Sequence, residues 1–358
     1  MINEFIRLFL SFFAKPIKWL LYIILLGLSI ILIIYWLLPL TPDTQPKTED
    51  IMLYEVKDSL SGLYGFMDET GKLVIPYKWK GANHFSEGLG GVKDSTDQYG
   101  FVDSIGTLII PCQWKLAGGF HEGLAQVANE QWLWGYIDKE GKEVIPCKWE
   151  TTRNFCDGLA WVEDEEGLRG YIDKSSKTVI PFLWHLTHDF SEGLAAVCDQ
   201  ATSNWGFIDK TGKLVIPYQW MNAYSFSNGL AHVMDGHGNH YYIDKTGNVM
   251  ISCIGEYAWS FSEGLVAWES DTGRYGYVDT KGKTVIPCQW KLARDFSDGF
   301  AAVMDDNNKW GYIDKTGKLV IPCQWKDANE FTGSLARVED DNGRCWWINK
   351  TGKVVGER

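Results

Sequence analysis

A hairpin-sized motif returns about every 35 residues and constrains this chain more than any other feature. A clear copy is Trp310-Gly-Tyr-Ile-Asp-Lys-Thr-Gly-Lys-Leu-Val-Ile-Pro-Cys-Gln-Trp325. Trp310, Tyr312 and Ile313 are aromatic or β-branched, which suits a pleated, buried surface. Asp314-Lys315-Thr316-Gly317 has turn chemistry: Asp bonds nearby backbone N–H groups and Gly takes a positive φ. Leu319-Val320-Ile321 returns as a second strand, and Pro322, which lacks a ladder donor, is expected to end it. Alternation places apolar residues on both faces of the hairpin, so it must be sandwiched between neighbours.

The motif's second position falls at Gly65, Gly100, Gly135, Gly170, Gly206, Tyr241, Gly276, Gly311 and Trp346. A second box, Phe-Ser-Glu-Gly-Leu-Ala-x-Val, begins at Phe85, Phe120, Phe155, Phe190, Phe226, Phe261, Phe296 and Phe331. Its Leu-Ala-x-Val part reads as a third strand, and Leu53-Tyr54-Glu55-Val56 supplies one for the first hairpin. The fold class expected is therefore an all-β repeat array of nine three-stranded antiparallel meanders. An open or curved solenoid, in which each unit touches only its neighbours, is preferred. A closed β-propeller-like ring is the alternative. It is disfavoured because blades normally carry four strands and no split unit locks the ring shut.

With these residues in view, the pattern resembles the bacterial WG-repeat family over about residues 51–355. Trp-Gly itself stands at Trp134-Gly135, Trp205-Gly206 and Trp310-Gly311. The resemblance implies a β-repeat array, often on exported or multidomain bacterial proteins, with no general catalytic activity.

Before the repeats, residues 19–38 carry no charge. A helix of that length spans roughly 30 Å, the thickness of a bilayer core. Arg7, Lys15 and Lys18 precede it, and only Lys47 and Lys57 follow closely. The positive-inside rule then keeps residues 1–18 in the cytoplasm or at the interface and exports the body. Residues 39–50 read as a linker and residues 51–358 as the repeat domain. Basic and acidic side chains balance in residues 1–50, so the net charge of −12 belongs to the body. An acidic body argues against nucleic-acid binding.

The aromatic row Trp79, Trp114, Trp149, Trp184, Trp220, Trp290 and Trp325 is the candidate ligand-binding set, against a packing role between units. Glu87, Glu122, Asp157, Glu192, Glu263 and Asp298 form an acidic row, read as turn bonding or as a cation-binding groove. Cys112, Cys147, Cys253, Cys288 and Cys323 share a position with Tyr77, Phe182 and Tyr218, as small packing residues would. Cys112–Cys147 and Cys288–Cys323 are the pairs to check for disulfides. Unit six is degenerate: Ser252 and Gly255 replace the usual Pro and Trp, and His232, His237 and His240 gather there. Unit four has Ser176 in place of the turn glycine. No metal site is assigned. G-x-S-x-G, H-E-x-x-H and phosphate-loop motifs are missing, so no enzyme and no cofactor are expected.

The function expected is a membrane-anchored extracytoplasmic module, binding or scaffolding a protein or a cell-wall glycan. The alternatives are a structural spacer and a metal-assisted hydrolase at the unit-six histidines.

Overall fold

The structure, a computed structural model, describes residues 52–252 and 260–357. The run at 19–38, its flanks 1–18 and 39–50, Cys253 and Gly255 lie outside these residues. Among the described residues no helix is long and apolar enough to cross a membrane.

The repeats form nine small antiparallel sheets. Blade 8 shows the full pattern. Its inner strand is Leu292–Ser297, followed by Phe300–Met304, Trp310–Asp314 and the outer strand Leu319–Trp325, each hydrogen-bonded to the next. The inner strand is a fourth strand in five of the nine sheets and corrects the three-stranded expectation there; the sheets of blades 1, 4, 5 and 7 have three strands, as expected. It escapes a reading by alternation because it is short, bulged and only half-buried. In blade 2 it is Gly81–Ser86, with a register shift between Ala82 and Phe85. In blades 4 and 5 it shrinks to isolated bridges such as Thr152↔Val162 and Thr187↔Val197.

The blades close into a ring, which overturns the preferred open array. Each apolar cluster spans two blades. Leu89, Phe101 and Ile110 of blade 2, for example, pack with Phe120, Val127 and Ile137 of blade 3. Nine blades in an open row have eight interfaces. Nine clusters are present, and the ninth joins Tyr54, Val56 and Met67 of blade 1 to Leu335 and Trp347 of blade 9. No exchanged strand is needed, because the seam is built like the other interfaces. Eight interfaces hold an edge-to-face aromatic pair with centroids 4.8–5.0 Å apart, such as Tyr312–Phe331. At the seam Tyr54 and Trp347 make that pair at 5.3 Å. The Tyr54 hydroxyl also donates to the Thr332 carbonyl at 3.0 Å and accepts from the Ser334 N–H at 3.0 Å. Gly333 breaks the acidic row for this reason: a Cβ there would lie 2.6 Å from Met52 Sδ and 2.9 Å from the Tyr54 oxygen.

Pro322 does not end its strand, contrary to the sequence expectation. Trp310 pairs with Trp325 and Tyr312 with Ile321, so Pro322, Cys323 and Gln324 bulge opposite Gly311 alone. A Cβ on Gly311 would lie 2.5 Å from the Ile321 carbonyl oxygen. The glycine of the repeat is thus demanded by close backbone approach to the bulge. Blade 6 tests this internally. With Tyr241 in place of the glycine and Ser252 in place of the proline, no bulge forms at that point: Tyr241 pairs with Ser252 and Tyr242 with Ile251, and the one register shift comes at Ile243. Proline and bulge together also protect an outer edge strand from pairing with another sheet.

The acidic row links blades. Glu87 accepts from the Gly123 N–H at 3.0 Å, Asp157 from Gly193 at 2.6 Å and Asp298 from Gly333 at 2.6 Å. Each carboxylate reaches the next blade's tight turn, where a lysine joins it: Lys139 to Glu87 at 3.2 Å and Lys174 to Glu122 at 3.1 Å. These residues themselves hold φ of 51–55°. That left-handed conformation costs about 1–2 kcal/mol, and the inter-blade bonds offset it. The turn aspartates act as read: Asp314 Oδ1 accepts from the N–H groups of Thr316 and Lys318. Ser176 sits at φ 66°, where the other blades use glycine. Among the described residues the cysteines are free thiols, so neither candidate pair is a disulfide. Cys147 packs at the blade 2–3 interface, and burial pushes its thiol up to about 12.

Closure makes the ring one cooperative object. Removing residues 327–358 deletes blade 9 and strips blades 1 and 8 of their partners. Thermal unfolding of that truncation is expected to lose the single sharp transition of the full chain. An unchanged transition in the truncated protein would show independent units instead.

Candidate functional site

In blades that carry an inner segment, the shared framework leaves three positions free to vary on one sheet face. One is in the inner strand, one is the x of Leu-Ala-x-Val in the second strand, and one opens the third strand. In blade 4 they are Arg153, Trp161 and Arg169. In blade 5 they are His188, Ala196 and Trp205. Small residues at x, such as Ala196, let the outer two meet: the His188 and Trp205 rings lie 5.0 Å apart.

Around blades 3 to 5 these positions line a groove of about 750 Å³. Its aromatic walls are Trp134, Trp161 and Trp205, and its charged groups are Arg153, Arg169 and Asp189. Trp161 is buried, and both guanidiniums lie over its ring, Arg169 at 4.2 Å and Arg153 at 5.9 Å. Such contacts are worth about 0.5–2 kcal/mol and hold a guanidinium in a fixed plane. Arg169 Nε also donates to Glu163 at 2.9 Å.

The preceding blade pins the strands that carry these groups. The Tyr136 hydroxyl donates to the Arg153 carbonyl at 2.6 Å, and the Tyr171 hydroxyl to that of His188 at 2.8 Å. Burial pushes both phenols far above their usual range, so they remain neutral donors. Burial also raises the Asp189 carboxyl, opposed by Arg153 and the Trp161 indole. Burial, then Arg169 and Arg153, lowers the His188 pKa. Asp189 Oδ1 is buried without a protein partner. The groove can therefore offer fixed cationic donors, one unsatisfied acceptor and indole surface to a single ligand.

The tryptophan row named from the sequence lies elsewhere, at the ends of the outer strands. Trp149 pairs with Trp134, Trp220 with Trp205, Trp290 with Tyr275 and Trp325 with Trp310. Trp79, Trp184 and Trp220 are buried, and Trp114, Trp149, Trp290 and Trp325 half-buried. The Nε1 atoms of all except Trp184 are buried without a partner, while Trp184 donates to Tyr218 at 3.0 Å. Sequence reasoning missed Arg153, Trp161, Arg169, His188 and Asp189. A signal existed in departures from the repeat: Trp161 stands where Ala196, Ala267 and Ala302 stand, and Arg169 replaces the Trp of Trp-Gly.

In blade 6, Tyr224, His232 and His240 form a ladder of rings, each pair 5.0 Å apart and nearly parallel. His232 Nε2 meets His240 Nδ1 at 2.8 Å. His237 does not join them; it sits exposed in the turn. Among the described residues no group of three or more His, Cys, Asp or Glu side chains converges as metal ligands would.

No curated protein matches the sequence. Among solved structures, the chain is similar to a eukaryotic initiation factor at 10% identity and a TM-score of 0.61, over 86% of this chain and 95% of that one. It is also similar to the computationally designed protein Ika8, at 11% identity and a TM-score of 0.44, over 68% and 85%. BamB from Moraxella catarrhalis matches at 9% and 0.42, over 75% and 96%. The profile of the family described as "WG containing repeat" matches residues 64–94, 99–130, 134–167, 170–199, 205–236, 242–268, 275–310 and 310–343.

Blade 6 carries an acid-sensitive element. Burial, then the neighbouring His240, lowers the His232 pKa from 6.5 to about 4. The folded pKa lies below the unfolded one, so the stabilisation is full above pH 6.5 and is lost as pH falls towards 4. The loss is about 3 kcal/mol. Urea unfolding at stepped pH should show His232→Phe less acid-sensitive than the natural chain by that order. Parallel pH profiles would refute the assignment.

Proposed function

The chain belongs to the WG containing repeat family, and from that premise we propose that it is a membrane-anchored, extracytoplasmic and non-catalytic interaction module. Its propeller binds a protein partner in the groove over blades 3 to 5. The observation that carries this reading is the concentration there of residues that leave the repeat. Framework positions stay nearly constant from blade to blade because the ring requires them. The side chains of Arg153 and Arg169 stand at positions that vary from blade to blade, and stacking on Trp161 together with the Tyr136 bond to the Arg153 carbonyl holds them in place. Rigid aromatic and arginine groups in a recess are the usual anchors of protein interfaces.

Anchoring rests on the uncharged run at 19–38 and the lysine and arginine residues before it. Protease added to intact cells, with any outer membrane opened, is expected to degrade the repeat domain. Protection of the domain under those conditions would reverse the topology.

Leu186 lies exposed on the groove rim, whereas Val285 is exposed on the outer strand of blade 7. A photo-crosslinking amino acid at position 186 is expected to trap one discrete partner in living cells, and the same group at 285 is not. Equal patterns from both sites, or none from 186, would place binding away from the groove.

A further inference from the structure

We infer that the groove recognises an acidic segment of its protein partner, with two carboxylates held by Arg153 and Arg169. This rests on the groove being the binding face. It adds the chemistry of what is bound.

Charge bookkeeping around the ring singles out these two arginines. The domain is strongly acidic, and several of its other arginines are already engaged. Arg294 donates to Asp327 at 2.8 Å and to Asn329 at 3.2 Å. Arg274 donates to Asp306 at 2.6 Å. Arg169 spends only Nε on Glu163, which leaves both terminal nitrogens for a ligand. Arg153 is exposed. The two flank Trp161 on adjoining strands, one in the inner strand and one in the third. A planar guanidinium fixed over an indole presents a ready fork to a carboxylate, without first losing side-chain freedom.

At the two arginines the same geometry favours a peptide over an acidic sugar. Sugars bind tryptophan by laying a ring face on the indole. Trp161 is buried to 4% exposure and lies under both guanidiniums, so it has no such face to give. Asp189 points the same way. Its Oδ1 lacks a donor, and a peptide supplies backbone N–H groups between its carboxylates. The half-buried Trp134 and Trp205 take an apolar side chain at the groove's two ends.

The test is fluorescence anisotropy of the full-length protein in detergent micelles with the labelled peptide Gly-Asp-Glu-Phe-Asp-Glu-Gly. Its probes for comparison are the same peptide with Asn and Gln replacing the acids, and an oligoglucuronate. The acidic peptide is expected to bind roughly tenfold more tightly than the amide peptide, and to weaken between 50 and 200 mM salt, both concentrations being about those over which a surface charge contact is screened. Arg153→Gln should weaken it by roughly tenfold, as should Arg169→Gln. Arg294→Gln, with its arginine already engaged, should leave the affinity unchanged. Because Arg169 also packs on Trp161, Arg153→Glu on the exposed side is the second variant, and it should abolish binding without moving the melting temperature. Equal binding of the acidic and amide peptides would overturn the proposal. So would insensitivity to both arginine variants, or tighter arginine-dependent binding of the oligoglucuronate. If position 186 crosslinks a partner while the acidic peptide fails to bind, only the ligand chemistry falls and the groove stands. If both fail, the groove reading falls with it.

Discussion

The aromatic pair between neighbouring blades is the contact on which this structure depends. Each interface sets a Tyr or Phe of one third strand edge-on to the box Phe of the next blade, and the seam sets Trp347 against Tyr54. Such pairs contribute about 0.5–1.5 kcal/mol beyond the area they bury. A single blade has two apolar faces and can satisfy neither alone. An open row would leave two terminal faces in water. Closing the ring covers both with one more interface of the same kind, so closure needs no special device.

Around that contact the chain manages its polar groups economically. The acidic row is used within the ring. Glu87, Glu122 and their equivalents bond the next blade's turn and pair with its lysine. Exposed pairs of this kind contribute little singly, about 0–1 kcal/mol. Their importance is directional: each fixes the rotation of one blade against the next. The acidic row is therefore part of how the ring is built, and the arginines of the groove over blades 3 to 5 stand out in a domain of net negative charge.

Framework and recognition occupy different positions in the repeat. The Gly opposite the proline bulge, the turn Asp and the box Phe are required by backbone approach, turn bonding and packing. The three varying positions across each blade are not. Arg153 and Arg169 differ from most of their counterparts without disturbing any of these, and Trp161 adds its indole to the blade 4–5 cluster while carrying both guanidiniums. This separation explains why a highly repetitive chain can still carry one distinctive surface.

Much was legible in the amino-acid sequence. Nine units, their hairpins, the turn chemistry at Asp314 and the strained Ser176 follow from local preferences that operate within a few residues. The packing character of Cys147 follows from its sharing a position with Phe182. The inner strands were not legible, because Gly81 to His84 and Gly118-Gly119 carry no alternation and become strands only by pairing with Leu-Ala-x-Val. Pro322 read as a terminator because a bulge depends on what lies opposite, here Gly311. The tryptophan row drew attention through its repetition, while the groove residues were hidden by lacking it. Local sequence thus determined the units and their number. Only the tertiary structure decided that they close, because closure depends on the curvature accumulated over eight interfaces and on Tyr54 meeting Trp347 across almost the whole length of the domain.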